Sequence, residues 1–292
     1  MNHPSRRNLI QGLGALAAAA AVTPAAGSPA PAAASGADMG VSFKLGVASY
    51  SFRAFQRRTA IALTKKLGIQ YINIKDFHLP ITGSVEETRA AAAEFTKAGL
   101  TILGGGNIDL KKDDESDFKM KFEYAKAAGM PLIVCAPSET TLPKLEKYAK
   151  QYNIKVAVHN HGTEDKIFPT PQSVVKIVKD MDPRMGCCVD IGHTVRTGVD
   201  LLDTIREVGP RLLDMHTKDL KDFSSRDSQV VVGDGKIPIA GLFKELVKMN
   251  YQGGVMLEYE IEEDNPMPGM MRSFSYMRGV IAGMKASADQ TR

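Results

Sequence analysis

The chain has 292 residues, with 37 basic and 33 acidic side chains and a formal net charge of +4. Acidic and basic residues are interspersed and no basic stripe occurs, so the composition argues against a nucleic-acid-binding protein. The three cysteines, Cys135, Cys187 and Cys188, lie inside apolar runs. This odd set predicts buried thiols rather than a disulfide framework.

Residues 1–38 are predicted to be an export signal and linker. Arg6 and Arg7 form a twin arginine, an apolar run over residues 9–22 follows, and small-residue cleavage sites come next. Paired arginines are typical of the twin-arginine route, which predicts a periplasmic or secreted protein. A retained membrane anchor is the alternative, but the run is shorter than the roughly 20 residues a span needs. We therefore expect no stable membrane span after processing, and one domain over residues 39–292.

Short apolar runs rich in β-branched residues recur along this domain and predict eight strands. Helical periodicity follows each run, and glycine or asparagine often ends the helical segment, as C-cap residues do. The predicted strands cover residues 44–50, 69–76, 100–106, 131–137, 154–160, 185–192, 211–219 and 254–260. The predicted helices cover residues 59–68, 84–99, 116–129, 142–153, 171–182, 199–209, 239–250 and 271–287.

Eight strand-and-helix units of this kind predict an alternating α/β domain. Near-continuous apolar strands indicate a parallel sheet that is buried on both faces. Eight such units close naturally into a (β/α)8 TIM barrel. A doubly wound open sheet is the alternative, but no glycine-rich phosphate-binding fingerprint follows the first strand. We therefore predict the barrel, whose functional residues sit at the C-terminal ends of the strands.

All five histidines of the predicted domain lie at or just past the end of a predicted strand. A single histidine in an apolar strand is usually a hydrogen-bonded core residue. Five at one rim instead indicate a polar pocket, because that end of a barrel carries function. The five are His78, His159, His161, His193 and His216.

Carboxylates accompany the histidines: Asp190 ends the sixth predicted strand, and Glu258 and Glu260 end the eighth. A carboxylate at the end of an apolar strand is costly to bury unless it is paired or binds a metal. Imidazole together with carboxylate suits Mn, Co, Zn or Fe better than Ca, so we predict one divalent metal ion. The alternative is a set of ion pairs with Lys75, Arg196 and Lys218.

Four motifs follow one another in the second half of the chain. They are D-x-G-H at 190–193, H-x-K-D at 216–219, VGDGKIPIAGLFKEL at 232–246 and YQGGVMLEYE at 251–260. With these motifs the chain resembles the sugar phosphate isomerase/epimerase family, a group of xylose-isomerase-like TIM barrels. The resemblance extends over residues 44–285.

The resemblance implies a metal site. In that family one divalent metal is bound by a Glu at strand 5, an Asp at strand 6, a His at strand 7 and a Glu at strand 8. Asp190, His216 and Glu258 match three of these positions. His159 stands where many members carry Glu, so it is the implied fourth ligand, and His161 is an implied ligand or substrate contact. The family's epimerases also move protons with their two glutamates, so His159 argues against two-base epimerisation by that pair.

The resemblance further implies a metal-dependent isomerase or epimerase that acts on a carbohydrate or keto-sugar through a metal-stabilised enediolate. Proton transfer would fall to Glu258, His161, Glu260 and His78. Substrate contacts would fall to Lys75, His193, Lys218 and Arg196. The loop over residues 222–235 is long enough to cover a substrate.

Two other functions stay open at this point: a lyase or hydratase that eliminates across a 3-keto-glycoside, and a non-catalytic carbohydrate-binding barrel. Export separates the protein from phosphorylated sugars, which are mainly cytoplasmic. The expected substrate is therefore a neutral small-molecule carbohydrate. A homo-oligomer is compatible with the sequence.

Overall fold

The computed structural model describes residues 40–290 of the chain, with side chains to residue 287. The predicted export signal and linker, residues 1–38, lie outside the described residues, so export stays a prediction. Within the described part of the chain, no helix is both long and apolar enough to cross a membrane.

Eight parallel strands close into a barrel, and two more form a small antiparallel sheet. The strands are β1 (Lys44–Ala48), β2 (Tyr71–Ile74), β3 (Thr101–Leu110), β4 (Leu132–Pro137), β5 (Lys155–His159), β6 (Met185–Asp190), β7 (Leu212–Thr217), β8 (Asp219–Leu220), β9 (Gln229–Val230) and β10 (Gly254–Leu257). Around the barrel the order is β1-β10-β7-β6-β5-β4-β3-β2, while β8 pairs with β9. This order confirms the predicted (β/α)8 TIM barrel, with β10 as its eighth strand.

Helices connect the barrel strands, and each predicted helical segment forms one. The helices are α1 (Arg57–Lys66), α2 (Val85–Lys97), α3 (Glu115–Ala127), α4 (Leu142–Tyr152), α5 (Pro171–Val178), α6 (Ile191–Val195), α7 (Leu201–Val208), α8 (Ile239–Lys248) and α9 (Met267–Gln290). Local signals set several ends: a capping box between Ser84 and Glu87 starts α2, and Asn153 ends α4 with a φ of 53°. The short α6 was not predicted.

The main core lies between the barrel and its helices, and a smaller cluster lies inside the barrel. All six residues of β6 are buried, as expected for a strand covered on both faces. Because successive side chains of a strand point to opposite faces, the two adjacent cysteines of β6 face opposite sides of the barrel wall. The Cys187 thiol lies 3.8 Å from the Pro171 carbonyl of α5, whereas Cys188 belongs to the cluster inside the barrel. Both thiols and that of Cys135 are free and buried, as predicted.

Candidate metal centre and cleft at the barrel mouth

Four side chains from adjacent barrel strands converge at the C-terminal rim. His159 ends β5, Asp190 ends β6 and His216 lies in β7. Glu258 follows β10 directly. The ligand atoms of these residues lie within 4.8 Å of one another, and all four are buried. The structure therefore brings together the four predicted metal ligands, which we call the four-ligand cluster.

The donor atoms of the four-ligand cluster fit one divalent cation. His159 Nε2 lies 3.0 Å from His216 Nδ1 and 3.7 Å from Asp190 Oδ2. His216 Nδ1 lies 3.2 Å from Glu258 Oε2. The buried Asp190 Oδ2 accepts no hydrogen bond of good geometry from the described residues. Two imidazoles and two carboxylates suit Mn, Fe, Co or Zn, and a buried carboxylate oxygen without a hydrogen bond is what a metal would satisfy.

Lys218 supplies positive charge to the same carboxylates. Its Nζ lies 3.0 Å from Asp190 Oδ2, 3.0 Å from Glu258 Oε2 and 2.5 Å from Glu260 Oε1. Burial disfavours the ammonium, but Asp190 and Glu258 outweigh burial and raise the pKa of Lys218 well above its usual value. Lys218 is therefore the counter-cation of the cluster, in contact with two oxygens that a metal would use. The predicted ion pairing of Lys218 and the predicted metal site thus share the same atoms.

The pKa values of the two imidazoles of the cluster are shifted in opposite directions. Burial, and next His216, lower the pKa of His159 well below its usual value. Burial opposes protonation of His216 too, but Glu258 outweighs it and raises the pKa of His216. For Glu258, burial is outweighed by His216 and Lys218, which hold its pKa well below the usual value. His159 is therefore the neutral imidazole, with the lone pair that a metal requires.

His161 and His193 lie beside the cluster, with ring centroids 4.4 Å and 5.9 Å from that of His159. Asn107 Nδ2 donates to His161 Nε2 at 3.0 Å, and His161 Nδ1 lies 3.3 Å from Asp165 Oδ2. Burial, and next His193, lower the pKa of His161. His161 is therefore a neutral imidazole held on both sides, with its hydrogen on Nδ1.

Arg196, predicted to contact a substrate, is instead engaged by protein groups. Its guanidinium forms an ion pair with Glu164 and donates to His193 Nδ1 at 3.1 Å. Because a guanidinium only donates, Nδ1 of His193 accepts and the ring hydrogen is on Nε2. Arg196 thus sets the orientation of His193, and its contact with a substrate stays a prediction.

A cleft of about 560 Å³ opens beside His161 at the ends of β3, β4 and β5. It contains three carboxylates and two ammonium groups, so it shows no excess of positive charge. It is lined by Asn107, Asp109, Lys111, Ala136, His161, Glu164, Asp165, Lys166 and Ile167. Sequence reasoning missed Asn107, whose buried Oδ1 accepts no hydrogen bond among the described residues. The available signal was a polar residue after the three glycines of β3.

The remaining cationic and acidic candidates lie on the other side of the cluster. Lys75 Nζ is 3.8 Å from Glu258 Oε1 and 5.1 Å from the centre of the Tyr50 ring. Glu260 is bound by Lys218, and its backbone N–H donates to Gln229 Oε1 at 3.0 Å. Gln229 also donates to the Glu258 carbonyl at 2.8 Å. The predicted covering loop, 222–235, therefore contacts the rim through Gln229, which sequence reasoning did not identify.

His78 lies in a closed hydrogen-bond network, which argues against its predicted role in proton transfer. Its Nε2 donates to the Phe55 carbonyl at 3.0 Å, so Nδ1 accepts from the Ser49 hydroxyl at 2.9 Å. Ser49 Oγ in turn accepts the backbone N–H of Lys75 at 2.8 Å. Burial lowers the pKa of His78, in agreement with a neutral ring. No ring nitrogen is left to exchange a proton with a substrate.

Comparison with known proteins places the chain in a family. A sequence profile of xylose isomerase-like TIM barrels matches residues 61–280, and the chain belongs to this family. The chain is 28% identical over 156 residues to the inosose dehydratase of Clostridium tetani. The aligned segment covers 47% of this chain and 51% of that protein. The chain thus spans about half the length of this curated relative.

Solved structures show the same fold. The IOLI protein with a binding zinc atom superposes with a TM-score of 0.70 at 18% identity, covering 82% of this chain and 99% of that one. D-psicose 3-epimerase from Clostridium cellulolyticum H10 with D-tagatose gives a TM-score of 0.67 at 18% identity, covering 82% of this chain and 99% of the epimerase. At this identity the likeness shows the barrel fold alone.

Proposed function

We propose that this protein is a metal-dependent enzyme that moves a proton next to the carbonyl of a sugar or keto-sugar, as an isomerase or epimerase. The observation that carries the proposal is the convergence of four buried ligand atoms within 4.8 Å at the mouth of a closed barrel. The family membership and the relative named inosose dehydratase support carbohydrate chemistry.

The proposed metal is one divalent ion held by His159, Asp190, His216 and Glu258. When bound, it would polarise a substrate carbonyl and so make the adjacent C–H group acidic. Lys218 keeps contact with Glu260 at 2.5 Å, so its ammonium can release the two ligand carboxylates and stay paired.

Proton transfer is proposed for Glu258 and His161. Glu258 Oε2 faces His216, whereas Oε1 lies 3.8 Å from Lys75, so one oxygen remains for exchange with a substrate. His161 is neutral and lines the cleft, so its Nε2 can accept a proton once a substrate replaces Asn107. His193, with its hydrogen on Nε2, and Lys75 would donate hydrogen bonds to sugar hydroxyls. In this proposal Glu260 transfers no proton and instead holds the Lys218 ammonium through an ion pair.

The proposed substrate is a neutral carbohydrate. The cleft carries both signs of charge, Asp109, Glu164 and Asp165 against Lys111 and Lys166, so it lacks the cationic cluster that a phosphate group favours. We also propose that residues 1–38 direct export by the twin-arginine route, which would separate the enzyme from phosphorylated sugars. Replacing Arg6 and Arg7 by lysine should retain the protein in the cytoplasm, and unchanged export would contradict this.

Elimination is the second candidate, as in a dehydratase or a lyase acting on a 3-keto-glycoside. One observation favours it: His159 stands at the strand-5 position, and its Nε2 faces the cluster instead of a carboxylate. An imidazole that holds a metal cannot also accept a proton on the bound nitrogen, so one of the two usual proton-moving carboxylates is missing. The relative named inosose dehydratase agrees with this candidate.

The test is incubation of the purified protein with sugars, keto-sugars and 3-keto-glycosides in D2O, with Mn²⁺, Co²⁺ or Zn²⁺ supplied. NMR and mass spectrometry should show an isomer or epimer that carries deuterium at the exchanged carbon. A product lighter by one water or one aglycone would select elimination instead. A protein that contains no metal as purified, binds sugars and converts none of them would overturn the proposal in favour of a carbohydrate-binding barrel. His216→Ala is the control, because it should abolish conversion.

A further inference from the structure

A third kind of ligand lies beneath the four-ligand cluster. Cys188 precedes Asp190 by two residues on β6, so both side chains face the barrel interior. In the sheet register Cys188 pairs with His159. The Cys188 thiol and one ring nitrogen each of His159 and His216 lie within 4.8 Å of one another, and all three residues are buried.

This set differs from the four-ligand cluster in depth and in chemistry. Two residues along a strand correspond to about 6–7 Å, so the thiol lies deeper in the barrel than the Asp190 carboxylate. The two sets share the two imidazoles, but one adds carboxylates and the other adds sulfur. The His159 ring also has unused bonding capacity, because its buried Nδ1 makes no hydrogen bond among the described residues.

We propose that His159, Cys188 and His216 form a second cation position, specific for thiophilic divalent metals such as Zn²⁺, Co²⁺ and Cd²⁺. Sulfur and imidazole donors favour these ions, whereas Mn²⁺ prefers the carboxylates of the upper position. On binding, the S–H bond breaks and a metal–sulfur bond forms. The proton passes to Asp214 Oδ2, the acceptor 3.7 Å from Cys188 Sγ.

This inference rests on the proposed function, because both use the imidazoles of His159 and His216. It adds a prediction of which metal ions activate the enzyme and which inhibit it. Because both positions use His159 and His216, one metal excludes the other. A thiophilic ion bound in the deep position sits below the rim and away from the cleft, so Co²⁺ and Zn²⁺, which can occupy either position, should support less conversion than Mn²⁺, and Cd²⁺ should inhibit the Mn²⁺ enzyme.

The test is a titration of the purified protein with Co²⁺ and Cd²⁺, followed by thiolate-to-metal charge-transfer absorption. The band should appear in the wild type and lose at least 90% of its intensity in Cys188→Ser. Cys187→Ser is the matched control: it is adjacent and equally buried, but it faces α5, so its band should equal that of the wild type. Circular dichroism of both variants verifies that they fold.

A further variant separates this inference from the proposed function. Glu258→Gln should lose Mn²⁺ binding, measured by calorimetry, and keep the Cd²⁺ charge-transfer band. Wild-type protein that binds Co²⁺ or Cd²⁺ without the band would overturn the deep position and leave the four-ligand cluster intact. A band that persists in Cys188→Ser would also overturn it. A wild type that shows the band but does not bind Mn²⁺ would contradict the four-ligand cluster and support the deep position.

Discussion

Two regions of the barrel mouth carry histidines at strand ends, and their surroundings differ. On the side of β1 and β2, both ring nitrogens of His78 are hydrogen-bonded, to Ser49 and to the Phe55 carbonyl. On the side of β5, β6, β7 and β10, His159 Nδ1 makes no hydrogen bond with the described residues, and the contact of Asp190 Oδ2 is an ion pair with Lys218 at 3.0 Å. We call the His78 network the closed region and the four-ligand cluster with its neighbours His161 and His193 the open region, because only the latter keeps ligand atoms together beside a cleft.

The comparison shows that residue type at a strand end does not define a site. Leaving a buried polar atom unpaired costs about 1–3 kcal/mol, so a cluster of four buried ligand residues that includes such an atom is organised for a ligand. The His78 network has no such need. The following variants test whether this distinction predicts function, from the largest expected effect to the smallest.

Removing a carboxylate charge from the four-ligand cluster should strongly weaken Mn²⁺ binding. Glu258→Gln is expected to weaken Mn²⁺ binding by more than about 100-fold, because changes outside the ligand set already cost roughly 10–100-fold. Isothermal titration calorimetry measures the affinity. Glu263→Gln is the control, since Glu263 is half exposed and pairs with Arg53 outside the cluster. Equal affinities for the two variants would contradict the ligand assignment.

Removing the counter-cation should destabilise the metal-free protein. In Lys218→Met, Asp190 and Glu258 lose their shared ammonium, and unpaired buried charges typically cost about 3 kcal/mol or more. Denaturation with and without Mn²⁺ measures the loss, and the metal should restore most of it. Lys221→Met, at an exposed position, should change little. A Lys218→Met protein as stable as the wild type without metal would show that Lys218 is not the counter-cation.

Arg196 connects the open region to the surface and is expected to act by positioning His193. In Arg196→Gln the turnover number should fall about tenfold, or about 1.4 kcal/mol, with little change in KM. Steady-state kinetics on the substrate found in the screen measures both. Arg206→Gln, which breaks ion pairs with Asp203 and Glu245, is the control. A rise in KM with unchanged turnover would instead indicate that Arg196 contacts the substrate.

The closed region should affect stability and not activity. His78→Phe leaves the Ser49 hydroxyl and the Phe55 carbonyl without their partner, so unfolding free energy should fall by about 1–3 kcal/mol near pH 7.5. Activity of the folded variant should stay within about twofold of the wild type. A folded but inactive variant would restore His78 as a catalytic residue.

The same variant predicts a pH dependence. Burial lowers the pKa of His78 below its ordinary value of 6.5, so below pH 6.5 the unfolded chain binds a proton that the folded ring does not. Wild-type stability therefore falls as the pH falls through 6.5. His78→Phe lacks this titration, so denaturant unfolding should show the gap between the two proteins narrowing from pH 7.5 to pH 5.5. A gap of constant size would contradict the neutral, buried ring.

Much of the fold was predictable because its signals are local. Eight apolar runs, each followed by a segment of helical period, correspond to the eight barrel strands, and helix ends such as Asn153 follow from backbone preferences of single residues. The short α6 escaped prediction because it depends on the Asp190 side chain, which accepts the His193 N–H at 2.7 Å.

The sequence by itself determined the barrel and the polar strand ends, because strand alternation and helix periodicity act over a few residues. Only the tertiary structure decided which of these polar groups remain available. The Phe55 carbonyl bound by His78, the Glu164 carboxylate bound by Arg196 and the Glu260 carboxylate bound by Lys218 are 23, 32 and 42 residues away in sequence, and barrel closure brings them close. The same closure places Cys188 beneath the imidazole pair, since the register between neighbouring strands is set by packing of the whole barrel.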